Sequence, residues 1–409
     1  MKKNLLILVA ALLLLPSIAF AQDETDQSGT TYTQFAPITT GVSFLSVAPD
    51  ARGGGMGDTG GASAPDGDSQ YWNPAKYAFI DGVGGASVSY VPWLRKIVSD
   101  IDLISASGYY KIQDVQTIAA SFRFFSIGNV LIQKDPNPES GYNVKPYDLA
   151  LDVSYSRILA KNFSMGVALR FIWSDLTGGY NADGGEYIEP GWSIAADISG
   201  YYGQKVDFSW GTGFGGFGFN ISNIGKKVEY GDYRSAAFLP TNLRLGGRFT
   251  IPFDKYNHLT AHLDINKLLV PAHPIQGDGE SNEAYAQRVD EYYKMDPITG
   301  IGRSFVDMAD GSAYDFGTQF KKVTWSAGLE YDYNEQFFGR VGLYYEDPMI
   351  GGRQYATFGA GFKLNVFSLD VAYVLSIAQN NPLDQTLRFT LGFNMGGMKE
   401  LIGFSKDDK

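Results

Sequence analysis

Cysteine is absent from this 409-residue chain, and histidine occurs only three times. Without cysteine there is no disulfide, no thiolate metal site and no lipidated cysteine anchor. Three histidines leave little material for nucleophilic catalysis. His258 and His262 share one strand face four residues apart, which at ~3.4 Å per residue separates their Cα atoms by roughly 13 Å, too far for one metal ion. His273, beside Pro274, reads as a loop residue. Long apolar runs are missing too, so no helix is expected to span a membrane. Charged residues make up only 19% of the chain, and Asp and Glu outnumber Lys and Arg 44 to 33. That balance argues against nucleic acid. No catalytic, metal-binding or cofactor-binding residue is expected, and the chain reads as a non-enzyme.

What is abundant is glycine and aromatic residues, with 49 Gly, 26 Tyr and 27 Phe. High aromatic and glycine content without hydrophobic runs is what alternating barrel strands produce, because half of each strand is polar. The N-terminus has the layout of an export signal. Lys2 and Lys3 precede the apolar Leu5–Leu15, Pro16 breaks the run, and Ala19 and Ala21 flank Phe20 as a signal peptidase requires. Residues 1–21 are therefore expected to be removed, leaving a chain that starts at Gln22 and resides in the bacterial outer membrane.

From about residue 83 the period is two. Val323, Trp325, Ala327, Leu329, Tyr331 and Tyr333 alternate with Thr324, Ser326, Gly328, Glu330 and Asp332, giving one apolar and one polar face. Similar segments predict strands at 84–91, 101–110, 117–127, 148–156, 163–174, 191–202, 209–222, 241–251, 258–267, 323–333, 337–345, 355–364, 367–375 and 386–396. The fold class is thus all-β, a 14-stranded antiparallel transmembrane barrel spanning 83–397. The connections alternate long and short, as the extracellular loops and periplasmic turns of outer-membrane barrels do. The lipid face is expected to carry no charge. The inward face is expected to carry Arg123, Arg170, Arg244, Arg248, Arg340, Lys363 and Arg388 against Asp152, Asp197, Asp264, Glu330, Asp332 and Asp370. Such a near balance predicts a packed, salt-bridged interior in place of a selective pore. Tyr and Trp near strand ends (Trp93, Tyr109, Tyr110, Trp173, Tyr201, Tyr202, Tyr344, Tyr345) read as interfacial girdles.

Three segments do not alternate. Residues 22–82 are rich in Gly, Pro and Asp and are long enough to plug the lumen. The connection 268–322 is too long to be a simple link. In it Tyr285, Val289, Tyr292 and Tyr293 fall at helical spacing behind Ser281. With Leu268, Leu269, Val270 and Phe305 they form a candidate partner-binding loop, the other reading being a lid packed on the barrel mouth. Residues 398–409 are expected to be a periplasmic tail. Gly53-Gly54-Gly55-Met56-Gly57 looks like a phosphate-binding loop but lacks the strand before it and the helix after it, so tight packing is expected.

The stretch from Ser46 to Phe79 carries the most specific signal. Its plug motif comprises Arg52, Gly53, Gly55 and Gly57 and then Asn73, Pro74 and Ala75, which follow Tyr71 and Trp72. It closely resembles the opening of the PorV (LptO) family of type IX secretion outer-membrane proteins. Asn73-Pro74-Ala75 is also similar to the N-terminal signature of the FadL fatty-acid transporters, fourteen-stranded barrels with an N-terminal hatch. The first resemblance implies a subunit that docks at a SprA-like translocon barrel. It would accept secreted cargo through a C-terminal signal domain and deliver it to a PorU-like sortase, all within outer membrane lipid. The second implies a channel for hydrophobic small molecules.

Overall fold

A computed structural model describes residues 38–395 apart from 94, 96–99, 133–141, 178–188, 232 and 378–384. The expected signal segment, residues 22–37 of the leader and the expected tail lie outside the described residues.

Fourteen antiparallel strands close into a barrel. They are β1 Gly84–Trp93, β2 Ile101–Ile112, β3 Gln116–Ser126, β4 Tyr147–Ala160, β5 Phe163–Asp175, β6 Gly191–Phe208 and β7 Gly211–Gly225. The second half comprises β8 Asn242–Pro252, β9 Asn257–Leu268, β10 Val323–Tyr333, β11 Phe337–Tyr345, β12 Gln354–Lys363, β13 Phe367–Ser376 and β14 Leu387–Asn394. Closure is through β1 and β14, with Val88 opposite Leu391. All fourteen expected strands are present within a few residues. The largest extension is β6, which runs to Phe208 and pairs with the glycine-rich β7 down to Gly211.

Closure removes the edges that would otherwise expose unpaired backbone to lipid. The pleat then sorts side chains by solvent, and here the sorting is inverted relative to a water-soluble protein. On β4 and β5 the outward Leu151, Val153, Val167 and Leu169 are exposed, while the inward Asp152, Ser154, Ala168 and Arg170 are buried. Two expectations need correction. The outward face carries charge at the strand ends: Arg157 on β4, Lys267 on β9 and Asp102 on β2, the last paired with Arg95 at 2.8 Å. A rim position meets headgroups and water, so charge there is cheap. Nor do all eight aromatics form girdles. Tyr109, Tyr201 and Tyr355's neighbour Tyr344 point inward, as does Trp93. Adjacent residues on a strand face opposite ways, so only Tyr110, Tyr202 and Tyr345 of those pairs can meet lipid.

Candidate functional site

Residues 38–82 fill the lumen. They contain no long element, only turns at Ser43–Ser46, Ala51–Gly54, Ser69–Trp72 and Pro74–Phe79. Asp50 caps the second turn by accepting from the Gly53 N–H at 2.7 Å, and its other oxygen accepts from the Trp72 indole at 2.6 Å. The Gly53–Gly57 motif is a packing device. Gly53 and Gly60 lie against the Trp72 ring, and Gly57 has a left-handed φ of +71°. The wall supplies matching glycines. A Cβ on Gly342 would come within 2.1 Å of the Gly57 nitrogen, and one on Gly218 within 2.2 Å of the Gly61 oxygen. At these two wall positions backbone lies on backbone, which only glycine allows.

Side chains then tie the plug to the wall. Arg52 makes a two-pronged contact with Glu330 on β10 at 3.0 and 3.1 Å, and reaches Asp66 at 2.9 Å. Glu330 is shared with Arg340 at 2.7 Å, and Arg340 holds Asp370 at 2.5 Å. The Gly60 and Gly61 N–H groups both donate to Asp264, at 2.9 and 2.8 Å. Asp58 accepts from Tyr355 at 2.6 Å and pairs with Arg388. Asn73 donates to the carbonyls of Gly61 and Gly200 while its oxygen caps Ala75, and Pro74 opens the next turn. A second network joins Arg170 to Asp152, Asp197 and Asn223. The inward charges thus cancel largely in pairs. Lys76, which the sequence reading passed over, is wholly buried and donates to Gly60 and Ser63 within the plug.

The plug divides the lumen into two cavities that share no lining residue. The one at the long-loop end has about 530 Å³ and is bordered by Tyr71, Trp72, Trp93, Arg244, Tyr344 and Arg353. The one at the short-turn end has about 840 Å³ and is bordered by Asp66, Arg248, His258, Asp332 and Lys363. His258 meets Asp332 at 3.1 Å, while the His262 Nε2 is buried without a hydrogen-bond partner.

Over the long-loop mouth, residues 269–322 form a roof. The expected helix is present as Asn282–Lys294, capped by Ser281, and two more follow at Pro297–Arg303 and Phe316–Lys321. Three of the eight candidate loop residues are taken out of solvent: Leu269, Val270 and Tyr292 are buried. Val270 and Tyr292 cluster with Phe238, and Tyr293, Met295 and Ile38 pack beside them. Burial removes those side chains from any partner-facing surface, because the apolar groups satisfy one another. Leu268, Tyr285, Val289 and Tyr293 are half-buried, and Phe305 is exposed. Lys227, from the β7–β8 connection, donates to the Tyr292 and Tyr293 carbonyls at 2.9 Å and lies 4.0 Å from the Phe238 ring centre. Burial pushes its ammonium down to about 8. The sequence reading missed a second set, Ile298, Val306, Tyr314, Phe316 and Phe320, all exposed. The signal for it was present: Phe316 and Phe320 are four apart behind the capping Asp315.

The sequence matches the family model described as type IX secretion system protein PorV over residues 30–275. The chain belongs to the PorV family. No curated protein matches it. Among solved structures, the toluene transporter TodX of Pseudomonas putida is 11% identical, with 85% of this chain and 97% of that one covered and a TM-score of 0.50. A FadL homologue of Pseudomonas aeruginosa is 13% identical over 88% of this chain and 99% of that one, with a TM-score of 0.43. The TodX likeness shows the barrel fold. Membership of the family and the closed antiparallel barrel assign the chain to the outer membrane.

Proposed function

We propose that the protein is a non-enzymatic docking subunit of the type IX secretion system. It engages a SprA-like translocon barrel, accepts cargo through the cargo's C-terminal signal domain, and hands it to a PorU-like sortase at the cell surface. Membership of the PorV family supports the system. The observation that carries the docking role is the plugged lumen, with residues 38–82 bonded to the wall beneath the roof. A barrel that spends its interior on packing has its outer surfaces left for work. Within the roof, the partner-facing part is the Asn282–Lys294 helix, whose outer face is polar and charged while Tyr285 and Val289 share the inward face with Tyr292.

Replacing residues 275–315 with a short Gly/Ser bridge tests this. None of the barrel ladders passes through that segment, so the truncated protein should still reach the outer membrane and shift on heating in SDS. It should lose translocon or cargo from a mild-detergent pull-down. Unchanged recovery would remove the roof from the docking surface.

A second reading, a channel for hydrophobic small molecules, is favoured by the two cavities on either side of the plug and by the TodX-like fold. Planar-bilayer recording and toluene uptake by vesicles holding the protein separate the two. The docking reading expects no steady conductance and no uptake above empty vesicles, whereas deleting residues 22–82 should open conductance.

A further inference from the structure

Phe316 and Phe320 occupy one face of the Phe316–Lys321 helix, four residues apart, with ring centres 6.3 Å apart. Phe320 stands 5.8 Å from the ring of Trp325. By the parity of β10, Trp325 is on the outward side with Ala327 and Tyr331, so the helix extends the lipid-facing belt upward. Phe305 joins from the other side, its ring 5.4 Å from the ammonium of the outward-facing Lys267. Phe316 is 70% exposed, Phe320 52% and Phe305 44%. In water such a cluster is costly, because each buried aromatic side chain is worth about 1.5–3 kcal/mol. Against the belt it needs no protein cover, since the bilayer already meets Trp325.

The polar groups at this spot indicate the kind of lipid. Besides the Phe305 ring, Lys267 reaches the Gln319 side-chain oxygen at 3.5 Å, and it has no carboxylate partner among the described residues. Lys321 is exposed on the same helix. Long basic side chains beside aromatic rings at a membrane rim lay their stems on apolar surface and present the charge to anionic headgroups.

We propose that Phe305, Phe316, Phe320 and Trp325, with Lys267 and Lys321, form a binding site on the outer wall for an acylated, phosphorylated glycolipid of the outer leaflet. Acyl chains cover the aromatic rings and a sugar phosphate meets the two ammonium groups. The site rests on the outer-membrane location and not on the docking role, so either can fail without the other.

The lack of cysteine makes the test clean, because Phe320→Cys creates a unique thiol for a nitroxide. The full-length labelled protein is placed in vesicles of phosphatidylethanolamine with lipopolysaccharide. The expected result is that oxygen relaxes the label while a water-soluble nickel chelate is excluded. Access by the chelate means the cluster stands in water and overturns the proposal. Exclusion of both agents means another protein surface covers it, and overturns it equally. In parallel, Lys267→Gln should lower the lipopolysaccharide retained after mild-detergent purification about fivefold, the effect of one lysine at an anionic surface. Equal retention would overturn the phosphate contact. Both variants must still migrate as heat-modifiable barrels, which reports folding independently of lipid.

Discussion

The plug and the roof cover the same lumen, yet they are held by different means. The plug is fixed mainly by charge and backbone, with an apolar cluster of Val42, Phe44 and Leu45 on Val91, Leu103 and Ile172 at its long-loop end. Arg52, Glu330, Arg340 and Asp370 form a continuous chain of ion pairs, and glycine lies against glycine at Gly57 and Gly342. The roof is fixed by a small apolar cluster of Phe238, Val270 and Tyr292 with one lysine reaching up beneath it. The difference follows from the surroundings. Plug residues face the inward side of the strands, which is rich in carboxylates, guanidinium groups and glycine and offers apolar side chains chiefly at Val91, Leu103 and Ile172. The residues of the roof cluster sit above the barrel rim, where burial of apolar surface is the available gain. A plug held this way is coupled to barrel stability, whereas a roof held this way can open alone.

The largest expected effect breaks the plug side of that contrast. Gly342→Val places side-chain atoms where the Met56–Gly57 backbone now lies. Neither side can retreat, so the heat-modifiable folded fraction should fall sharply, by more than the 1–3 kcal/mol of ordinary overpacking. Arg340→Met is next. It leaves Glu330 with Arg52 alone and strips Asp370 of its partner, and breaking a buried pair from one side costs about 3–5 kcal/mol. The urea midpoint of the barrel should drop accordingly. Asp370→Asn with Arg340→Met should recover part of the loss, because it removes the charge left behind.

Tyr292→Ala tests the roof. It should raise protease cleavage within 275–315 while leaving the urea midpoint of the barrel in place. A barrel that loses stability as much as it does with Arg340→Met would erase the contrast. The smallest effect is a pH dependence confined to the roof. Lys227 is held near 8 by burial, below the usual lysine range. Between about pH 8 and the ordinary lysine pKa of ~10.4, the open form binds more protons than the closed one. Closure should therefore tighten modestly as pH rises through this window, and lie flat below it, where both forms are protonated. Protease protection of 275–315 measured from pH 7 to 10 checks the sign, and Lys227→Met should abolish the dependence.

Much of the barrel was legible because a strand has a period of two and the membrane rewards it strictly. Ser326 and Gly328 against Trp325 and Ala327 state which side faces lipid without reference to any neighbour. The same rule, applied to Tyr109 and Tyr110, shows why both cannot belong to a girdle. Charges at Asp102, Arg157 and Lys267 escaped because periodicity does not tell where the hydrocarbon ends. The plug motif was visible as residues, but its partners were not. Arg52 and Glu330 are 278 positions apart, and several other inward carboxylates were equally available to Arg52. In the roof, the helical spacing of Tyr285, Val289, Tyr292 and Tyr293 marked the first of the three helices, Asn282–Lys294. Its inward set was mixed with its outward one because the burying partner, Phe238, comes from another connection.

By itself, then, the sequence determined strand number, wall polarity, the presence of a plug and the family, since each is written in local pattern or contiguous motif. Tertiary structure alone decided which carboxylate each arginine meets, which roof residues are hidden, and where the aromatic helix rests against the outer wall. Those are choices among chemically equivalent groups far apart in the chain. Only the closed geometry of the barrel, which fixes every inward side chain relative to every other, can make them.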